Sequence, residues 1–345
     1  MPFRHVPSCG RRLLAGPAWV LALSIGVAQP ASWVNVTHNV GGEKWGYAGV
    51  CLLAAVPGRD EVIAGVSEAG LWSSTDGGVS WRKLGAEDKV QITNRPYQTV
   101  FDPKDPNVFW ISGSYGPGIF KTRDGGKTFQ RLGELSHVDS LGVDLTDPER
   151  RTLLVGLHEQ ERSLHKSTDG GKTWQKIGDR LPENSNFSSD VVVLGAETYI
   201  ANAAGWRPKR TWGIYRTEDG GATWAKVSDA GPNGPPLVAS DGAIYWQALW
   251  GQGLIKSSDK GETWAKLGGP VKTNPIEIPG RRLVAPVGDQ LLVSADAGQS
   301  WAKLSDPIPV KPSGIVYSDR RKCFYIWRST PKKAPDAIFR WDLPE

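Results

Sequence analysis

The chain has 345 residues, with 41 Lys and Arg against 36 Asp and Glu and a formal charge of +5. That length exceeds what one ordinary core organises, so the chain is either two domains or one repetitive architecture. A surplus of positive charge this small does not support a nucleic-acid partner.

The N-terminus has the layout of a secretory leader. Arg4, Arg11 and Arg12 are its basic residues, and Leu13 to Val27 is an apolar stretch short for a membrane span. Gly26-Val27-Ala28 offers a cleavage site. The expected leader is residues 1–28, and residues 29–345 are then one domain, secreted or periplasmic, without a membrane span and monomeric. A membrane anchor or a buried N-terminal strand is the competing reading. Cleavage removes three arginines and no acid, which lowers the charge from +5 to +2. It also removes Cys9, which lacks a lipobox. Cys51 and Cys323 remain, as a disulfide or as two buried thiols.

Over the whole chain, Gly (41), Pro (25) and Trp (16) are abundant, which suits many turns and many short strands. Six segments share the pattern Ser/Thr-x-Asp-x-Gly-x-Ser/Thr-aromatic. The first is Ser74 to Trp81 and the last Ser294 to Trp301. Their aspartates are Asp76, Asp124, Asp169, Asp219, Asp259 and Asp296, at spacings of 48, 45, 50, 40 and 37 residues. Each interval holds four short strands, the content of one propeller blade. The motif is turn chemistry: the hydroxyl and the carboxylate bond to nearby backbone, and the recurrent Gly allows angles other residues resist. Six carboxylates, one per unit, read as scaffold; a catalytic group is needed once.

After the sixth box three strands are legible, Gly314 to Tyr317, Cys323 to Trp327 and Ala337 to Trp341, with no seventh box. The fourth strand is found at the other end of the chain. Ser32-Trp33-Val34-Asn35-Val36 matches the post-box strand Ser80-Trp81-Arg82-Lys83-Leu84. The expected fold is therefore all-β, a seven-bladed propeller with four-stranded antiparallel blades, its ring closed by the N-terminal strand. That placement brings Cys51 of blade one beside Cys323 of blade seven.

The boxes resemble the Asp-box (BNR) repeat of sialidases, xyloglucan-degrading endoglucanases, sortilin-type receptors and photosystem II assembly propellers, over almost the whole mature chain. The resemblance is specific for fold and weak for function. It implies that the boxes lie on the face opposite the ligand, so function falls on the loops between strands B and C and those between blades. An early Phe-Arg-Ile-Pro motif and an arginine triad with a Tyr–Glu pair, expected of a sialidase, are absent. The xyloglucan-degrading enzymes carry two propellers and this chain one.

On that face blade three is the richest. The loop leading into it contains His137 and Asp139, and its B–C loop contains His158, Glu159 and Arg162. Imidazoles, carboxylates and a guanidinium are what proton transfer and carboxylate binding require; a solvated polar loop cluster is the plain alternative. His137, Asp139, His158 and Glu159 are the expected catalytic group. Arg162, Trp45, Tyr47, Arg95, Tyr97, Tyr115, Trp206, Arg207 and Trp250 are the expected glycan-binding rim, since aromatic faces stack on sugars and cations hold acidic groups. For any one of them, packing or solvation is the ordinary role. His165 reads as packing on strand C, in line with Trp72, Phe120 and Tyr215.

The function expected from this set is a glycan-acting enzyme without cofactor or metal. It is a hydrolase through Asp139 and Glu159, or a lyase through His137 or His158 with Arg162 or Arg207 neutralising a uronate. A non-catalytic glycan- or protein-binding propeller is the alternative.

Overall fold

The computed structural model describes residue 1 and residues 32–86, 92, 94–185, 189–205, 211–249, 252–330 and 333–344. The expected leader falls outside these residues, Met1 apart. The described residues form seven four-stranded antiparallel sheets, each an up-and-down meander. Strands are lettered A to D from the innermost outwards.

Six blades follow chain order; the seventh is composite. Its strands A to C are Gly314–Ser318, Cys323–Trp327 and Ile338–Asp342, and its strand D is Val34–Asn35, paired as Val34↔Arg340 and Asn35↔Phe339. The closing strand is shorter than the expected Ser32 to Val36, and the strand it joins begins one residue after Ala337. Side chains complete the seal. Thr37 Oγ1 accepts from the amides of Ala337 and Ile338 at 2.8 and 2.9 Å. The Asn39 amide bonds both backbone groups of Trp81, and the Trp81 indole donates to Val36 O at 2.9 Å. Without this clasp the ring would end in two open sheet edges.

Burial follows strand position. In blade three, strands A (Val138–Val143) and B (Leu153–Leu157) are buried throughout, whereas strand D (Gln175–Lys176) is exposed. The inner strands meet a neighbouring blade on each face, so their sequences are nearly continuous apolar runs. The outer edges are two-residue and basic in several blades, such as Arg82–Lys83, which discourages edge-to-edge pairing. Seven apolar clusters fill the spaces between adjacent blades.

The six boxes sit at the C–D turns. In blade three, Ser167 Oγ donates to Asp169 Oδ1 at 2.8 Å and accepts from Gly171 N at 2.8 Å. Asp169 in turn receives Thr173 N at 3.0 Å and Thr173 Oγ1 at 2.6 Å. The hydroxyl that closes each box, with the amide of the same residue, holds Asp76, Asp169, Asp259 and Asp296 down to about 2. These carboxylates are saturated by their own turns. At Gly78 (φ 91°) a Cβ would lie 2.7 Å from Val36 Cβ, so the box glycine also allows blade one to approach blade seven.

A basic residue on strand C ties several blades to the next box. Lys166 Nζ donates to Gly220 O (2.8 Å), Arg216 Nε to Lys260 O (3.0 Å) and Arg340 Nη1 to Gly77 O (2.8 Å). The last of these spans the closure. Cys51 and Cys323 are free thiols, so the bridge that the sequence permits is not formed in the structure. Burial raises both to about 12, which keeps them protonated and unreactive.

Candidate functional site

The face opposite the boxes gathers side chains from blades two and three because backbone bonds lace their loops together. Ser114 N donates to Arg95 O and Asn94 N to Tyr115 O, both at 3.0 Å, so the A–B ladder of blade two continues beyond its strands. His137 N then donates to Gly116 O at 3.1 Å, and His158 N to His137 O at 2.6 Å. Tyr115, His137 and His158 are thereby held side by side although they are distant in sequence.

Their side chains form a relay. His158 Nδ1 lies 2.6 Å from Asp139 Oδ2, and His158 Nε2 lies 3.1 Å from the Tyr115 hydroxyl. The Tyr115 and His158 rings meet edge to face with centroids 4.9 Å apart, and His137 meets the same tyrosine at 6.1 Å. His137 Nδ1 is 3.0 Å from Ser136 Oγ. The Asp139 side chain is 7 % exposed and that of His158 15 %. A buried carboxylate against Nδ1 fixes a proton there and leaves Nε2 as the acceptor facing the phenol.

Backbone irregularity aims these groups. The register slips between Val138 and Ser140, and equivalent slips occur at Val50/Leu52 and Pro96/Thr99. Each bulge lies at the head of a strand A, where it re-aims Asp139, Cys51 and Tyr97. His137, Glu159 and Arg162 have φ of 57°, 51° and 48°, left-handed values that cost non-glycine residues roughly 1–2 kcal/mol each.

Next to the relay is a buried acid that the sequence reading missed. Asp190 is buried and immediately precedes strand A of blade four (Val191–Val193), level with Ser140, the neighbour of Asp139 in blade three. Its amide donates to Asn202 Oδ1 at 2.6 Å, and Asn202 Nδ2 reaches its Oδ2 at 3.3 Å. Burial, and then the Asp139 charge, raise it to about 7. The two carboxyl groups are thus set apart: one is held by an imidazole and the other retains a proton into the neutral range. Burial and both aspartates also raise the Tyr97 phenol.

Arg95 lies in the same region. Its charge acts on Tyr97 and Cys51, and its buried Nε has no hydrogen-bond partner. Arg162 points elsewhere, with Nη1 donating to Asp179 O at 3.2 Å and Nε 3.8 Å from Glu161. Glu159 is half exposed, its Oε1 3.8 Å from His158 Nε2. Trp45 is 8 % exposed and donates to Val40 O at 3.0 Å within the blade seven–one core, so it is packing and not a surface for a sugar. Tyr47 is 71 % exposed. Trp206, Arg207 and Trp250 lie outside the described residues. Among the described residues no group of three or more His, Cys, Asp or Glu is placed to hold a metal ion, and no helix is long and apolar enough to cross a membrane.

Comparison with known proteins agrees with this architecture. The BNR/Asp-box repeat family model matches residues 165–176. No curated protein matches the chain by sequence. Among solved structures, the GH74 xyloglucanase from Xanthomonas campestris superposes with a TM-score of 0.59 at 17% identity, over 90% of this chain and 53% of that one. The chain thus spans about half the length of that enzyme. YCF48 bound to D1 peptide gives 0.58 at 17%, over 92% of this chain and 98% of that one. The extracellular domain of a hybrid two-component system from B. thetaiotaomicron gives 0.61 at 11%, over 90% and 39%. At these identities the likeness establishes the fold alone, and the similar structures include an enzyme and a peptide-bound propeller.

Proposed function

We propose that this chain, an Asp-box propeller of the sialidase-like type, is a secreted or periplasmic lyase that cleaves an acidic glycan on the face opposite its boxes. The observation that carries the reading is the Asp139–His158–Tyr115 relay, with contacts of 2.6 and 3.1 Å.

Elimination next to a uronate carboxylate needs three things: a base for the proton on the adjacent carbon, a cation against the carboxylate, and an acid for the leaving oxygen. His158 Nε2 accepts the Tyr115 proton, and the phenolate takes the proton from the substrate carbon. The freed pair forms the carbon–carbon double bond as the glycosidic C–O bond breaks. His137 protonates the departing oxygen. Arg95 holds the carboxylate, which acidifies the adjacent C–H and stabilises the anion that develops. Asp139 positions His158 and does not touch substrate. Hydrolysis through Asp139 and Glu159 fits less well, because Asp139 is buried against the imidazole.

Mass spectrometry of products from a panel of uronate polysaccharides tests the reaction class. Elimination gives fragments lighter by one water than hydrolysis gives. Saturated fragments sink the lyase reading, and no fragments at all sink the enzyme.

A second reading is a binding propeller without turnover. Its support is the match with YCF48 bound to D1 peptide, which this chain covers almost end to end. Capture of a peptide at the same face by a protein inert toward every glycan is the result it requires.

A further inference from the structure

The relay crosses a gap between blades: Tyr115 belongs to blade two, His158 and Asp139 to blade three. Apolar side chains fill much of that gap, among them Trp110, Ile119, Leu141 and Val155. Apolar attraction is non-directional. A hydrogen bond weakens steeply as its angle opens, so fine alignment of the two sheets falls to polar links.

Such links stand at both ends of the gap. At the box end, Arg150 Nε and Nη2 donate to the two carboxylate oxygens of Asp102, at 3.0 and 3.1 Å. The neighbouring Arg151 carbonyl accepts from Gly170 N of the box. At the relay end, Leu141 N donates to Gln98 Oε1 at 3.0 Å. Gln98 lies in strand A of blade two (Pro96–Phe101), within the register slip between Pro96 and Thr99. Leu141 is two residues beyond Asp139. A clamp at one end alone would let the sheets pivot about it; the second clamp fixes their orientation.

A further link leaves the same strand head on its other side. Val191 N of blade four donates to the buried Ser140 Oγ at 3.0 Å. Strand A is innermost and has a sheet partner on one side only, so its inward amides lack a ladder acceptor. A side chain of the preceding blade supplies one at Leu141 and at Val191. The two residues that follow Asp139 are therefore tied to blade two and to blade four.

We propose that Gln98, assisted by Ser140, is a positioning residue of the relay. Its bond to Leu141 N sets the head of blade three against blade two and so holds His158 in reach of Tyr115. The role requires no contact with substrate. It rests on the reading that the relay works on a glycan, yet it concerns geometry and is measurable without turnover.

Proton NMR of the His158 ring, joined to kinetics, tests it. In the unmodified protein the Nδ1–H held by Asp139 gives a low-field resonance, assigned by its loss in His158→Ala. Gln98→Met keeps the side-chain length and removes the acceptor. Exchange of that proton with water then quickens about fivefold or more, the weight of one hydrogen bond. The kcat falls about 10–100-fold with KM nearly unchanged. Asn274→Ala is the control. It removes a bond of the same kind between blades five and six, from Gln247 N at 2.6 Å, so it lowers Tm comparably but leaves the resonance and kcat as they are. If Gln98→Met does not fold, Ser140→Ala, which frees Val191 N, is read in its place. An unchanged resonance in the folded variant, an unchanged kcat on a glycan that is cleaved, or the same disturbance in Asn274→Ala overturns the proposal. So does the absence of the resonance from the unmodified protein. A resonance disturbed by Gln98→Met in a protein that cleaves no glycan supports the positioning role and retires the lyase.

Discussion

Asp139 and His158 are 19 residues apart in sequence, yet their side chains meet at 2.6 Å because a bulge at the head of one strand faces a left-handed loop at the end of the next. The pair is buried on the carboxylate side and open on the tyrosine side. That asymmetry gives the imidazole a direction: a proton held at Nδ1, an acceptor at Nε2.

If the direction matters, the three members differ in how they fail. Tyr115→Phe and His158→Ala each remove a proton-transfer group and lower kcat by about 10²–10⁴-fold with little change in KM. Asp139→Asn keeps the shape but can reverse the tautomer, and a comparable loss follows. The three losses are not additive in the triple variant. Steady-state kinetics on the same substrate read all of this.

Arg95 supplies charge without a hydrogen-bond partner at Nε. Arg95→Lys keeps the charge and loses the planar fork, so kcat/KM falls for a uronate substrate. Arg95→Ala falls further, and a carboxyl-reduced version of the glycan is turned over no better by the unmodified protein than by the variant. Equal discrimination in both proteins removes Arg95 from the site.

Asp190 yields a pH prediction with a definite sign. Its folded pKa, about 7, lies above its ordinary 3.8, so the folded state binds the extra proton between those values. Stability from this group falls as pH rises through that window, and the penalty is complete above pH 7. Asp190→Asn therefore raises Tm relative to the unmodified protein above pH 7, and the gain vanishes below pH 3.8. A gain that is the same at both ends contradicts the assignment.

The box aspartates carry the opposite sign. Asp76, Asp169, Asp259 and Asp296 are held near 2, below the ordinary 3.8, so their contribution is present above 3.8 and lost as pH falls toward 2. Asp169→Ala removes four hydrogen-bond contacts from one turn and lowers Tm by roughly 2–4 °C. Turnover well below Tm is unchanged, since the boxes face away from the relay.

The architecture was legible because its signals are local and repeated. Asp169 makes its bonds within residues 167–173, so six copies of that short pattern announce six turns and the closing strand follows from one mismatch. The site was legible only in part. His137 and His158 stood out as a scarce residue type in neighbouring loops, with Asp139 beside them. Tyr115 was named as rim, and its place in the relay depends on a contact across blades. Asp190 was missed because its role comes from complete burial beside Asp139, which one strand's sequence does not record. Trp45 was misplaced for the converse reason: a tryptophan in a loop looks exposed until the loop folds under itself.

The central claim is that Tyr115, armed by His158 and Asp139, removes a proton next to a uronate carboxylate. Its most direct test is the ultraviolet absorbance of the unsaturated uronate product, followed for the unmodified protein and Tyr115→Phe at equal folded concentration. The account predicts a steady rise with the unmodified protein and almost none with the variant. Equal rises in both, or new reducing ends without absorbance, would contradict it.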